Sequence, residues 1–373
     1  MNVVVRHQAE ALAALGHHVE ILTRRSSPDM PAERSMGTRV TLRFLDAGPL
    51  APVPKGDHES FIDEFRARAD ALGPYDIIHS HHWFSGMAML PLARALGIPH
   101  VQSFHSIAAD EATPLSDGER PESGGRMAGE AWLARESDLI VAVSAAEADT
   151  VVHRLGGSPA HIAVVPPGVD GELFHPRRGG AGTTGTGYAV VAGRLQPLKG
   201  LDLAIEAIAA VPAALRPELV IAGDASADYD GYLDELGRLA TRHGIGDGVR
   251  FVGPRSRLDL AELLRGARVV LVPSHSETFG LVALEAAASG VPVVAQGTGG
   301  LREAVLDGDT GLVIESRDPL VWAGAITEVL ADPALARRLS TAARARAEAF
   351  DWSRSAEALL DAYCALLPVP VCA

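Results

Sequence analysis

Short apolar runs alternate along the chain with longer stretches of helical period, and that alternation predicts strands and helices in turn. Residues 2 to 15 read as an amphipathic helix stopped at Gly16, with strands to follow over 19–23 and 40–46. A loop with Lys55 precedes a helix over 61–72, a strand over 76–81, a helix over 85–96 and a strand over 101–105. Beyond a polar loop, Arg126 opens the next helix, and strands over 139–144 and 162–165 flank one more, ending at Leu155. The second half repeats the theme, with strands over 188–192, 218–223, 249–252, 269–273 and 291–295, a helix over 229–243, and a last helix over 352–367. Strand regularly followed by helix is the pattern of α/β domains with parallel sheets.

A chain of 373 residues with 47% hydrophobic content suits two such domains, and aromatics at 5% speak against a β-sandwich. Residues 177–187 are rich in Gly and Thr with nothing apolar between, the composition of a linker. The expected division is a first domain over 1–170, a linker over 171–187, a second domain over 188–351, and a terminal helical segment over 352–373. A formal charge of −14 argues against nucleic acid or an anionic membrane as partner. No run of about 20 apolar residues exists and the start lacks a signal peptide, so a soluble cytoplasmic protein is expected. The first helix has no Lys/Arg-rich face, which disfavours peripheral membrane attachment. Cys364 and Cys372 fit no metal-binding or CxxC spacing and are expected as thiols. Oligomeric state, a homodimer included, stays open.

The chemistry concentrates in the stretch from Ser274 to Pro292. Its helix after Gly280 is apolar on every side except at Glu285, so it should be buried, and a buried carboxylate needs a partner. Side chains tilt toward a helix N-terminus, so Glu285 leans toward Glu277 and the amides of Phe279, Gly280 and Leu281. Amides at such a turn suit an anion, and carboxylates suit sugar hydroxyls. A nucleotide-sugar offers both. Upstream, Gly193-Arg194 and Lys199-Gly200 bracket a strand-to-helix turn, where two cations could hold a diphosphate. Each feature also has a blander explanation: Glu277 solvated, Glu285 paired with a core Arg, Arg194 and Lys199 as exposed loop charges.

His79-Ser80-His81-His82-Trp83 ends a strand, and imidazoles at i and i+2 point to one side, as in some metal sites. Further ligands with suitable context are not evident. His105 ends the next strand, where open α/β sheets present ligand groups. Asp228-Tyr229-Asp230 and Asp307-Gly308-Asp309 imitate a metal-binding D-x-D, but short acidic loops of this kind usually cap helices and make turns. No metal site is expected.

The Glu277/Glu285 spacing with Phe279-Gly280 inside resembles the E-x7-E signature of retaining glycosyltransferases of family four. That family has the GT-B fold, two Rossmann-like domains facing a central cleft, and the resemblance covers essentially the whole chain; it implies that the C-terminal helix, 352–373, crosses back to the first domain. The G-R-x-x-x-x-K-G match, the H-S-H-x-W match and the hinge-like Pro166-Pro167-Gly168-Val169-Asp170 extend it. The resemblance implies a UDP-sugar as donor, with no cofactor and no essential metal. It implies that Gly193, Arg194, Lys199, the amides of Phe279 to Leu281 and Thr298 serve the diphosphate, that Glu277 orients the sugar, and that Glu285 binds ribose. It implies His105 on the donor sugar, Arg255 near the nucleobase, and front-face attack with retention. The family's first strand and its glycine-rich turn have no counterpart before Asn2, so a missing N-terminal segment is expected.

Within the family, the first half is similar to actinobacterial enzymes that transfer N-acetylglucosamine to inositol phosphate. On that likeness Asn2, Lys55, His82, Ser106 and Arg126 would bind a small polar acceptor, and Lys and Arg suit a phosphate. His82 stands where those enzymes have Tyr and Ser106 where they have Thr. Ala108-Ala109-Asp110-Glu111 replaces a basic loop, so an aminocyclitol or another sugar also remains open as acceptor. Three rivals stay in view: a metal-dependent hydrolase using His79, His81 and His82, a nucleotide-sugar epimerase, and a nucleotide-sugar-binding protein without turnover.

Overall fold

Apolar β-branched runs such as Val269–Val272 and Val293–Gln296 are buried along their whole length, as expected of parallel strands covered on both faces. A computed structural model describes residues 2–53, 55–108, 124–177, 187–224, 229 and 231–367. Contacts divide the chain into two units, one built from residues up to Gly168 together with those from Trp352 onward, the other from Val169–Asp351.

The first unit holds β1 (Val19–Arg24), β2 (Glu33–Ser35), β3 (Val40–Leu45), β4 (Ile78–His81), β5 (His100–Ser103), β6 (Leu139–Ala142) and β7 (Ile162–Val164). They form a three-stranded sheet in the order β1-β3-β2 and a four-stranded parallel sheet in the order β4-β5-β6-β7. In the second sheet His79 registers with Val101 and His81 with Ser103, so the histidine-rich end of β4 lies beside the end of β5. The terminal helix Trp352–Cys364 packs on the first helix, Asn2–Ala14, with Trp352 stacked on His7 at 4.9 Å between centroids. Leu359, Ala356 and Tyr363 join Leu12, Val101, Val141 and Val165 in one apolar cluster, so the last helix completes this unit's core.

The second unit holds one six-stranded parallel sheet in the order β10-β9-β8-β11-β12-β13. Its strands are β8 (Tyr188–Ala192), β9 (Glu218–Ala222), β10 (Val249–Gly253), β11 (Val269–Val272), β12 (Val293–Gln296) and β13 (Leu312–Ile314). From β8 the chain winds outward through β9 and β10, then returns to the other side of β8 for β11, β12 and β13. The strand order therefore reverses between β8 and β11, and a doubly wound sheet opens its ligand crevice at such a reversal.

The structure differs from the sequence reading at several elements. The helix expected over 61–72 begins as a 3₁₀ turn, Lys55–Phe61, and becomes α-helical only over Ile62–Asp70. Short β2 and β13, and the helices Arg257–Gly266, Pro319–Ala331 and Pro333–Ala347, had no assignment from the sequence. Residues before 178 are docked on the second unit: Phe174 is fully buried and Arg265 donates to the carbonyl of Leu173 at 2.9 Å. The rest of the Gly/Thr-rich stretch, the polar loop over 109–123, Asp228, Asp230 and Cys372 lie outside the described residues. Cys364 is disulfide-bonded, which corrects its expectation as a thiol, since a spacing without a metal pattern is equally open to pairing. Asp307 accepts from the amide of Val313 at 2.9 Å, the turn chemistry expected of that acidic loop.

Candidate active site

The turns after β8 and β11 meet at the strand-order reversal of the second unit. The amide of His275 donates to the carbonyl of Leu198 at 2.9 Å, tying one turn to the other. Across the same junction the Lys199 ammonium donates to Oε1 of Glu277, and Ser274 Oγ donates to that oxygen at 3.1 Å. The pair stays reachable, with side chains about one-fifth exposed. Arg194 is exposed and makes no ion pair or side-chain hydrogen bond among the described residues. Its neighbour Gly193 packs against the stem of Lys199, where a Cβ would meet Cδ at 3.6 Å.

The helix Leu281–Ala288 is led by Gly280 at φ +97°, and a Cβ there would sit 2.4 Å from Leu301. Only glycine fits that conformation and that approach. Phe279 is buried, edge-on to Phe350 at 5.7 Å. The turn Thr298-Gly299-Gly300 lies against this loop: the amide of Gly300 donates to the carbonyl of Glu277 at 3.0 Å, and Thr298 Oγ1 donates to that of His275 at 3.1 Å. Lys199, Glu277, Gly280 and Thr298 thus share one anion-suited corner.

Glu285 is 3% exposed, and Arg257 donates to its Oε1 at 2.6 Å. The Arg257 guanidinium also lies over the ring of Phe174, 4.7 Å from its centroid. Burial pushes the Glu285 carboxyl up, and Arg257 opposes the shift. Its Oε2 is buried without a hydrogen-bond partner, an acceptor matched to a hydroxyl donor. Arg257 was missed from the sequence, although Ser256 followed by Asp259 marks a helix start there. Ser256 Oγ accepts from the Asp259 amide at 3.1 Å. Arg255, just before this cap, is exposed.

In the first unit the histidines form a hydrogen-bonded row. His79 Nδ1 lies 2.5 Å from Tyr363 Oη and its Nε2 lies 2.9 Å from Ser103 Oγ. His81 Nδ1 lies 2.8 Å from His105 Nε2, and the His81 ring stacks on His105 while lying tilted against His79. Burial first, and neighbouring imidazoles second, hold His79 and His105 well below the usual histidine range. Burial lowers His81 to about 4. His82 and His105 have φ of +75° and +58°, left-handed conformations that cost non-glycine residues about 1–3 kcal/mol and collect at functional sites. Among the described residues, no group of three or more His, Cys, Asp or Glu is arranged to hold a metal ion.

Arg126 is buried. It donates to Glu130 Oε1 at 2.8 Å and to the carbonyl and hydroxyl oxygens of Ser106 at 2.8 and 3.1 Å. It therefore holds the loop that carries His105 and Ser106. Asn2 is exposed at the start of the first helix, and Lys55 opens a 3₁₀ turn.

Two α/β units with largely parallel sheets, the second doubly wound and carrying an anion-suited, carboxylate-flanked corner at its strand-order reversal, define a GT-B glycosyltransferase. The sequence model "Glycosyltransferase Family 4" matches residues 1–173 and "Glycosyl transferases group 1" matches residues 180–346. The chain belongs to glycosyltransferase family 4. It is 40% identical to the D-inositol 3-phosphate glycosyltransferase of Stackebrandtia nassauensis, over 97% of this chain and 86% of that one. The enzyme of that name from Acidothermus cellulolyticus is 39% identical, over 97% and 85%. Among solved structures, sucrose-phosphate synthase from Thermosynechococcus elongatus superposes with a TM-score of 0.90 at 29% identity, covering 98% of this chain and 93% of that one. HepE from Anabaena, in complex with UDP and glucose, shares the fold with a TM-score of 0.74 at 23% identity, covering 87% and 86%.

Proposed function

We propose that the enzyme transfers a hexose or N-acetylhexosamine, with retention, from a UDP-sugar to a small cyclitol, cyclitol phosphate or sugar, with UDP-N-acetylglucosamine favoured as donor. The observation that carries this reading is the Lys199–Glu277 contact across the two turns at the reversal of the sheet. A cation and a carboxylate side by side match the two ends of the bond that must break, diphosphate on one side and sugar hydroxyls on the other. Arg194, Lys199 and the amides of Phe279 to Leu281 stabilise the departing diphosphate, as charge developing in the transition state requires. Glu277 accepts from the sugar ring, and the unpartnered Oε2 of Glu285 accepts from ribose. The resemblance assigns His105 to the donor sugar and Arg255 to the neighbourhood of the base.

The likeness to D-inositol 3-phosphate glycosyltransferases, together with Ser106, His82, Asn2, Lys55 and Arg126, supports this choice of acceptor. Arg126 acts on Ser106 through its hydrogen bonds, so its part is to shape the acceptor loop. We assign the enzyme to the cytoplasm and to metal-independent transfer.

The test is UDP release from UDP-N-acetylglucosamine and UDP-glucose, with and without inositol phosphate, inositol or aminocyclitols, in the presence and absence of chelator. Acceptor-dependent release that survives chelation and disappears in Glu277→Ala supports the proposal. Donor binding without release, across all these acceptors, counts against it.

A further inference from the structure

Hydrogen-bond accounting fixes the protonation of His79, the first of the histidine row. Ser103 Oγ donates to the carbonyl of Val141 at 2.9 Å, so its single hydrogen is committed there. Toward His79 Nε2, at 2.9 Å, Ser103 can only accept, which places the His79 proton on Nε2. A neutral His79 then carries a lone pair on Nδ1, and the Tyr363 hydroxyl donates to it at 2.5 Å. Burial raises Tyr363, consistent with a hydroxyl that keeps its proton. One tautomer of His79 is therefore locked by groups from two neighbouring strands and the last helix.

The His79 ring lies 4.2 Å from the His81 ring between centroids, and His81 is stacked in turn on His105 at 5.0 Å. His81 Nδ1 and His105 Nε2, 2.8 Å apart, share one hydrogen bond that needs one protonated and one bare nitrogen. The backbone on both sides of this contact is held as well. Ser85 Oγ donates to the carbonyl of His81 at 2.5 Å, and His82 donates its amide to the carbonyl of Ser103 at 2.7 Å. The titratable groups facing the pair are His79 and His82, with Glu147 accepting from the backbone at His105 and His100 acting on His79 behind them.

We propose that His81 is a positioning residue for the transfer: through its hydrogen bond to Nε2 it fixes His105 in one neutral tautomer and ring orientation. His79 and Tyr363 brace His81 from behind, so the last helix of the chain takes part in orienting His105. The proposal rests on the transferase reading with His105 as a sugar-contacting group. The H-x-H pattern on β4 then serves to hold a third imidazole rather than to ligate an ion.

The direct test is the ring-nitrogen NMR spectrum of the full-length protein labelled with ¹⁵N-histidine, with His105 assigned by the signal lost in His105→Asn. A single neutral tautomer for His105 in the wild type is expected, and interconverting tautomers would overturn the proposal whether or not any donor is turned over. His81→Phe should release the tautomer and lower kcat at least tenfold with little change in donor KM. His81→Asn, whose amide replaces Nδ1, should restore both the single tautomer and most of the rate. A His81→Phe protein that retains one His105 tautomer and the wild-type kcat would also sink it. Loss of transfer in every variant, with wild-type tautomers unchanged, would indict the substrate assignment instead.

Discussion

Lys199 and Glu277 hold each other, and each has a second task that a phosphate and a sugar hydroxyl would claim. Removing the ammonium takes away transition-state charge stabilisation, so Lys199→Ala should lower kcat/KM by roughly 10²–10³-fold, while Lys199→Arg recovers part of it. Steady-state kinetics with saturating acceptor decide this. Arg257 carries a different load: its loss would strand the buried Glu285 carboxylate, at a cost of about 3 kcal/mol. The sign with pH follows from a carboxyl whose pKa in the fold is raised further, so stability is lost as pH rises through that value. Thermal unfolding of Arg257→Ala should therefore show a deficit larger at pH 8 than at pH 5, and an equal deficit at both would contradict the pairing. Glu277 and Glu285 were legible because one lone Glu in an all-apolar helix asks for a reason. Arg257 was not, because its helix is polar along much of its length and only the Ser256–Asp259 cap marks it.

Among the elements, the glycine turns of the second unit pack tightly on their neighbours. Gly300 lies so close to the preceding loop that a Cβ would fall 2.0 Å from the carbonyl oxygen of Thr278. Gly300→Ala should push the Thr298 turn away from Glu277, weakening UDP binding by tenfold or more in calorimetry. Unchanged UDP affinity would mean that this turn does not shape the donor corner. Strands and helices with clean periodicity, such as β8, agree with the sequence reading to the residue. The His81–His105 contact was hidden for a physical reason. It depends on β4 and β5 pairing so that His81 registers with Ser103, with the chain then turning left-handed at His105 to bring the ring back. No periodicity encodes that register.

For the molecule as a whole, the buried histidines set an acid limit. His100 is fully buried between Ser80 and Ser137, at 2.9 and 3.1 Å, and burial lowers it to about 3. Groups depressed in the fold contribute stability that is present above the unfolded value near 6.5 and lost as pH falls through the folded value. Glu147, raised by burial to about 7, works the other way and gains as pH drops below that value. With His79, His81, His100 and His105 all depressed, the net expectation is a falling melting temperature from pH 6.5 to 4. His100→Asn should flatten part of that slope, and an unchanged slope would remove His100 from the account. The α/β class and the doubly wound second sheet were legible because parallel strands buried on both faces read as continuous apolar runs. The assignment of the last helix to the first unit's core followed from family likeness, since its amphipathic pattern does not name its partner.

Retaining transfer from a UDP-sugar is read out in the anomeric configuration of the product by proton NMR. The reaction would use UDP-N-acetylglucosamine and an inositol acceptor, with Glu277→Ala as control. An α-linked product from the α-linked donor, formed with release of UDP and absent in the control, is expected. A β-linked product, or UDP released without any glycoside formed, would contradict it.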